Sequence, residues 1–289
     1  MTEKRAFALG FFDGMHRGHT AIFEQCAKAS RERGLIPSAL AFDGHPRAVT
    51  RAAPPAITSP QRRIALMREQ GALFIASFRF DEQAAGMAPE AFIQDVLIKQ
   101  YDCALCVCGD DFRFGKGAAG TPELIATLGL PCITVPPVML GGQKISSTLV
   151  RQCVLQGDMP KAAALLGRSF MVEGDITHGR GVGRTLGFPT VNIGMGDGML
   201  TPKYGVYSTN VTIGGKPLRA VTNVGVRPTF GGSVPTVESY IFDFTGTLYG
   251  ERAEVGFKRF LRPERAFESA EALAGQIARD VREAEKDLV

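Results

Sequence analysis

Two histidines in a glycine-rich stretch, Gly10-Phe-Phe-Asp-Gly-Met-His-Arg-Gly-His19, are the first residues whose types and spacing suggest chemistry. His16 and His19 are three apart, so at a helix start they share one face of the first turn. Gly10, Gly14 and Gly18 allow close backbone approach or positive φ. Free N–H groups and the helix dipole at such a turn favour negative charge, which suits a polyphosphate. Two imidazoles there can donate hydrogen bonds to it and steady the charge that develops as pyrophosphate leaves. The spacing lacks the Glu of a zinc-protease helix, and no Gly-x-x-x-x-Gly-Lys-Ser/Thr phosphate loop occurs in the chain. A second group is Ile145-Ser-Ser-Thr148 with Arg151 one turn on. Hydroxyls at a helix start cap N–H groups and can hold phosphate oxygens, and arginine adds a fixed fork. Capping explains one serine more readily than Ser146, Ser147, Thr148 and Arg151 together. A third group lies further on: four glycines within residues 178–187, then Glu238 on an aromatic strand face with Tyr240, Phe242 and Phe244. A carboxylate there costs free energy unless it is paired or employed, or stands at an exposed barrel mouth.

These residues need elements to hold them. Arg5 to Leu9 reads as a buried strand and Thr20 to Arg33 as a helix, with Ile22, Phe23 and Ala27 on one side. The histidines therefore fall on a strand-to-helix turn. Leu35 to Phe42 is a second strand. A helix follows, with Ser59 as N-cap, Pro60 at its first position and Gly71 as its stop. Strands at Leu73 to Phe80, Cys103 to Cys108 and Leu130 to Val135 and a helix at Pro89 to Gln100 complete the rhythm of a parallel, doubly wound sheet. Such sheets collect ligands at the carboxyl ends of their strands. Strand alternation puts Cys103 opposite Cys106 and Cys108, so these thiols read as buried and reduced rather than as a metal site. Gln156-Gly-Asp-Met-Pro160 reads as a joint, giving domains 1–157 and 158–289. Beyond a short helix at Lys161 to Leu166, strands dominate: Phe170 to Thr177, Gly205 to Ile213, Leu218 to Val224 and Val237 to Phe244. Their spacing suggests a small antiparallel barrel. From about Ser269 a closing helix carries the stripe Leu273, Ile277, Val281, Ala284 and Leu288, best read as packing on the barrel. The expected class is α/β plus β.

Length and charge narrow the options. The chain has 289 residues, about two domains' worth, and a formal net charge of +4 with scattered basic residues. That favours small anionic substrates over a nucleic-acid groove. The apolar run from Ala6 to Phe12 stops at Asp13, and no stretch approaches membrane-spanning length, so a cytoplasmic protein is expected.

The histidine turn resembles the His-x-Gly-His signature of adenylyl- and cytidylyltransferases, and its longer string resembles the amino-terminal domain of bacterial FAD synthetases. Ile145-Ser-Ser-Thr-x-x-Arg151 is similar to that family's second signature. Gly187-Phe-Pro-Thr-Val-Asn192 resembles the Gly-Phe-Pro-Thr-Ala-Asn signature of riboflavin kinases, with Val191 in the alanine position. With Glu238, the motifs cover nearly the whole chain in the order of the bifunctional riboflavin kinase/FAD synthetases.

The resemblance implies an amino-terminal nucleotidyltransferase domain and a carboxyl-terminal riboflavin kinase barrel. In the first, His16, His19 and Arg151 would be catalytic, and Gly10, Phe11, Asp13, Gly18, Ser146, Ser147 and Thr148 would hold ATP phosphates. His45, Asp110, Phe112 and Phe114 would meet the flavin. His45 reads equally as a turn histidine, and Phe112 and Phe114 as hydrophobic loop anchors. In the second, Glu238 would be general base on the riboflavin hydroxyl, and Thr190 and Asn192 would hold Mg²⁺. Gly179, Gly181, Gly183, Arg184, Gly187 and Pro189 would wrap ATP, and Tyr207, Arg227, Thr229 and Arg262 would shape the flavin pocket. The implied reactions turn riboflavin into FMN and FMN into FAD, each using ATP, in a monomer or weak homo-oligomer without nucleic-acid or membrane partners. Departures from the family pattern are Asp43-Gly44 in place of Glu-Pro, and Lys116 with Ala118 where an arginine is usual. They keep open a kinase with weakened adenylyl transfer. A flavin-binding regulatory protein is the other alternative, disfavoured by two intact ATP-handling sets.

Overall fold

In the computed structural model, which describes residues 3–43, 53–177, 188–229, 232–244, 248 and 250–288, the chain forms two compact units, Met1–Ser147 and Thr148–Val289. The first holds five strands, β1 (Arg5–Leu9), β2 (Ile36–Asp43), β3 (Phe74–Arg79), β4 (Cys103–Gly109) and β5 (Cys132–Val135), in the order β3-β2-β1-β4-β5. All pairings are parallel. Its helices are α1 (Arg17–Arg33), α2 (Pro60–Glu69), α3 (Glu82–Gly86), α4 (Pro89–Ala91, running on as a π-helix over Phe92–Gln100) and α5 (Pro122–Thr127). One sheet face, with Ala6, Ala8, Leu105 and Val107, packs against Phe23 and Cys26 of α1 and Leu66 and Met67 of α2. The other, with Phe7, Leu9 and Leu40, packs against Ile93, Val96 and Leu97 of the π-helix and Ile125 of α5. Helices on both faces make this the expected doubly wound sheet. Winding reverses between β1 and β4, so the crevice at their carboxyl ends is a topological switch point.

One expectation on this sheet is overturned. Cys103 lies in the same cluster as Cys106 and Cys108, with its Sγ 3.7 Å from that of Cys106. The cause is a bulge: Arg5 pairs with Cys103 but Ala6 pairs with Leu105, so Ala104 is an extra residue and the alternation skips. The thiols are reduced. The contact with Cys103 and burial both push the Cys106 thiol up, which keeps it protonated.

The second unit opens within α6 (Ser147–Gln156), from Thr148, and continues into α7 (Met159–Leu166). The stretch read as a joint forms the tight corner between them, with Gly157 at φ +80. A closed barrel follows, built from β8 (Phe170–Thr177), β9 (Thr190–Ile193), β10 (Gly205–Ile213), β11 (Lys216–Thr229), β12 (Gly232–Ile241) and β13 (Arg252–Arg262), in the order β10-β11-β12-β9-β8-β13. A two-stranded hairpin, β6 (Met139–Leu140) and β7 (Gln143–Lys144), precedes it in the first unit. Closure needs a glycine at the β8–β9 seam, because a Cβ on Gly174 would sit 1.9 Å from the Gly194 carbonyl oxygen. Inside the barrel, three hydroxyls link three strands. Thr222 Oγ1 is 2.7 Å from Thr209 Oγ1 and 2.8 Å from Ser239 Oγ, and all three residues are buried.

The closing helix, α8 (Ala270–Glu285), lies on the barrel's outer face. Val281 and Ala284 meet Val206, Val221, Phe242 and Leu261. Leu273 and Ile277 are only half-buried, and the Leu288 side chain lies outside the described residues. Arg259 and Arg262 of β13 pair with Glu283, Asp287 and Asp280 and fasten the helix.

Candidate active sites

The histidine turn is built under backbone strain. Phe12, Gly14 and Met15 all have positive φ, at 56, 81 and 40. Two of these are non-glycine residues, and such strain persists only where the surroundings over-determine it. Here Phe12 and Met15 are fully buried. Asp13, expected at the phosphates, is 2% exposed, and its carboxylate instead accepts the N–H groups of Ile57 at 3.0 Å and Thr58 at 3.1 Å. Thr58 Oγ1 also accepts from Gly14 N at 3.2 Å. Asp13 thus acts as the anchor of the turn. Asp13→Ala leaves buried N–H groups without their acceptor, at a cost of about 2–3 kcal/mol. The expected result is a lower urea midpoint for the first unit with the barrel's own unfolding unchanged, read by circular dichroism.

His16 is the N-cap of α1, its Nδ1 accepting from His19 N at 3.3 Å. The two imidazoles stack with centroids 3.6 Å apart and planes 17° from parallel. Gly18 is required for space, because a Cβ there would lie 3.1 Å from the His16 ring. Gly10 passes close over the Phe12 ring, which its own Cβ would meet at 2.8 Å.

Both histidines line a cavity of about 890 Å³ at the switch point. Gly10, Phe11, Gly18, Ser146 and Ser147 line it too. Ser147 Oγ donates to the Asp13 carbonyl oxygen at 2.9 Å, joining the start of α6 to the turn. Thr148 and Arg151 lie further along α6, beyond the limit of the first unit. Six phenylalanines make an apolar part of the lining: Phe42, Phe78, Phe80, Phe92, Phe112 and Phe114. Phe112 and Phe114 stack at 5.6 Å and 21°. Asp110 lines the cavity, but its carboxylate is 3.4 Å from Lys144 Nζ. Asp111 accepts from the same ammonium at 2.7 Å and holds it above the usual lysine range. Lys144, missed in the sequence because nothing there placed the β6–β7 hairpin beside the Gly109–Gly115 loop, brings a cation to the cavity. His45 lies outside the described residues.

The second site is on the barrel's outer face. Asn192 of β9, Glu238 of β12 and Asn223 of β11 stand in register as a row across three strands. Thr190, two residues before Asn192, shares that face. Its Oγ1 donates to Glu238 Oε1 at 2.5 Å. Its proton being committed there, the hydroxyl keeps its lone pairs for a cation. Hydroxyl, amide and carboxylate oxygens are the donors a hard divalent ion takes, so the set fits Mg²⁺. Among the described residues no group of three or more His, Cys, Asp or Glu side chains that could hold a metal ion is found. The Phe188 and Tyr240 rings meet edge to face at 5.2 Å beside Thr190, next to Pro189. Asn223 donates from Nδ2 to Glu264 at 3.1 Å.

Two residues expected at the flavin have other tasks. Tyr207 is fully buried in the barrel, edge-on to Phe257 and Phe260, with its hydroxyl donating to Lys203 O. Arg262 grips Asp280 through Nε at 3.0 Å and Nη2 at 2.8 Å. Gly179, Gly181, Gly183, Arg184 and Gly187, and the side chains of Arg227 and Thr229, lie outside the described residues.

Residues 1–149 match the family profile described as FAD synthetase, and residues 166–288 match that described as riboflavin kinase. The bifunctional riboflavin kinase/FMN adenylyltransferase of Escherichia coli K12 is 35% identical over 285 residues, 96% of this chain and 91% of that protein. The Bacillus subtilis protein of the same description is 31% identical over 292 residues, 97% of this chain and 92% of that one. A crystal structure described as a macrolide-efflux protein from Streptococcus pneumoniae shares the fold, with a TM-score of 0.91 and 31% identity over 99% of this chain and 95% of that chain. Among the described residues here, no helix is long and apolar enough to cross a membrane.

Proposed function

The chain belongs to the family of bifunctional riboflavin kinases/FMN adenylyltransferases, and on that premise we propose how its two sites divide the work. It phosphorylates riboflavin to FMN and adenylylates FMN to FAD. Adenylyl transfer is assigned to the domain that carries the histidine turn, read in the sequence as 1–157, and phosphoryl transfer to the barrel domain, read as 158–289.

On the barrel, Glu238 takes the proton from the terminal hydroxyl of riboflavin as its oxygen bonds to the γ-phosphorus of ATP and the β–γ bridge breaks, releasing ADP. Thr190 orients that carboxylate through the 2.5 Å contact, the observation that best supports this assignment. Thr190 and Asn192 would hold Mg²⁺, which supplies charge neutralisation at the phosphates. Glycines 179, 181, 183 and 187, with Arg184 and Pro189, are assigned to ATP, and Arg227 and Thr229 to the flavin side.

In the histidine-turn domain, a phosphate oxygen of FMN bonds to the α-phosphorus of ATP, the α–β bridge breaks, and pyrophosphate leaves. No proton must be removed, so catalysis is positioning and charge stabilisation. His16 and His19 donate to the phosphates, Ser146, Ser147, Thr148, Arg151 and Lys144 hold charge, and the phenylalanine lining with His45 takes the flavin. Work as a monomer or weak homo-oligomer in the cytoplasm, without nucleic acid, is part of the same proposal and agrees with the modest net charge of +4.

A timed incubation of the full chain with riboflavin, ATP and Mg²⁺, with flavins separated by chromatography, tests it. FMN should rise first and FAD follow, and a chelator should stop both. FMN accumulating without FAD would remove the adenylyl assignment.

A further inference from the structure

We propose that Cys108 and Cys132 are a redox switch on adenylyl transfer, closing to a disulfide under peroxide. The effect on activity rests on reading the first unit's cavity as the adenylyl-transfer site; the bridge itself does not.

The two thiols come from neighbouring strands. Cys108 lies near the end of β4, Cys132 opens β5, and their Sγ atoms are 3.7 Å apart. Cys106 stands directly opposite Cys132 in the ladder, but its Sγ is 3.7 Å from that of Cys103 on its own strand. Cys108 is thus the thiol that Cys132 meets. The two sulfurs are already in van der Waals contact, so side-chain rotation with a small strand shift brings them to bonding distance. β5 is the last strand of the sheet and pairs with β4 on one side. It can move toward β4 without breaking a second ladder.

Access and acidity assign the roles. Cys108 is fully buried, whereas Cys132 is partly exposed. The hydrogen bond with Cys108 holds the Cys132 thiol below its usual range, and the same contact together with burial pushes the Cys108 thiol up. Cys132 is therefore the one that meets an oxidant as a thiolate. Its sulfur attacks an oxygen of hydrogen peroxide, the O–O bond breaks, and hydroxide leaves, taking up the proton that Cys132 had released. The Cys108 sulfur then attacks the sulfenic sulfur of Cys132. The S–S bond forms, the S–O bond breaks, and the oxygen departs as water with the Cys108 proton. Two thiols lose two electrons and two protons, and one peroxide becomes two waters.

Both strands run to the cavity. Gly109 follows Cys108, Val135 and Pro136 lie just beyond Cys132, and all three line it. Drawing β5 onto β4 shifts these segments against each other, beside groups that must hold the reacting phosphates in place.

The test treats the full chain with hydrogen peroxide, removes the excess with catalase, and reads intact mass, a peptide map by tandem mass spectrometry, and both activities. The mass should fall by two hydrogens, with Cys108 linked to Cys132. FAD formation from FMN should drop about tenfold to a hundredfold, the scale of a displacement of about 1 Å near a reacting centre, while FMN formation from riboflavin stays within about twofold. Dithiothreitol should restore FAD formation. Cys132→Ser and Cys108→Ala should each keep the unoxidised rate and lose the response. If Cys108→Ala fails to fold, Cys132→Ser decides, since Cys132 is partly exposed. Oxygen added to Cys132 with no link, a link to Cys103 or Cys106 instead, or a bridge that leaves FAD formation unchanged would each overturn the switch. So would a loss of activity that persists in Cys132→Ser, because it would lie at another residue. An unsubstituted, reduced chain that forms no FAD would instead point to failure of the adenylyl reading, and the mass and peptide map would still decide the bridge.

Discussion

Glu238→Gln lowers riboflavin phosphorylation by about 10²- to 10⁴-fold, the range for removing a positioned general base, while FAD formation from supplied FMN stays within about twofold. The amide keeps the shape and can still accept from Thr190, so β9 and β12 keep their contact. What it loses is the ability to take a proton. The loss should therefore fall on kcat, with KM for riboflavin little changed. Unfolding should be unaltered, because Glu238 stands on the outer face and the barrel interior does not depend on it. Equal loss of both activities, or an unchanged rate of FMN formation, would remove Glu238 from the chemistry.

His16→Asn and His19→Ala each lower FAD formation by about 10²- to 10³-fold, the scale for deleting one pre-organised donor to developing charge, and leave FMN formation from riboflavin intact. Asparagine is the informative choice at position 16. His16 caps α1 as well as facing the cavity, and losing a cap costs about 1 kcal/mol. Asparagine is itself a good cap, so His16→Asn separates loss of the imidazole from loss of the helix start. His19 has no capping role but stacks on His16 at 3.6 Å, so His19→Ala also frees the first ring. The two losses should be less than additive, as for groups acting together. If His16→Asn makes FAD at the normal rate, the cap is the histidine's whole contribution.

Much of this was legible in the sequence, for reasons that differ between the units. In the first, Ser59-Pro60 gave the start of α2 outright, and long apolar strands alternating with amphipathic helices gave the sheet. The Cys103 face was misread because a bulge adds one residue without changing the composition. In the barrel, β9 is four residues long and β13 interleaves Arg252, Glu254, Lys258 and Arg259 with its buried residues, so neither stood out. For β13 the signal was present: Ala253, Val255 and Phe257 alternate and all point inward. The site residues divide by what a motif can carry. His16, His19, Thr190 and Glu238 were legible because their type and local spacing limit what they can do. Asp13, Tyr207 and Arg262 were assigned by proximity to a motif. Their partners, Ile57 and Thr58, the barrel core, and Asp280, are remote in sequence, so the direction of each side chain was set by contacts no local pattern contains. Lys144 escaped for the same reason.

The hydroxyls inside the barrel bear on how β12 finds its place. A strand slipped by two residues keeps every apolar side chain inside, so hydrophobic alternation cannot distinguish that error from the native pairing. The Thr209–Thr222–Ser239 link can. After such a slip Thr222 would face Val237 or Ile241, and a buried hydroxyl would lose its partner at a cost of about 1–3 kcal/mol. The link thus disfavours slips of β12 by two residues, which would keep the core apolar while parting Glu238 from Asn192 and Asn223.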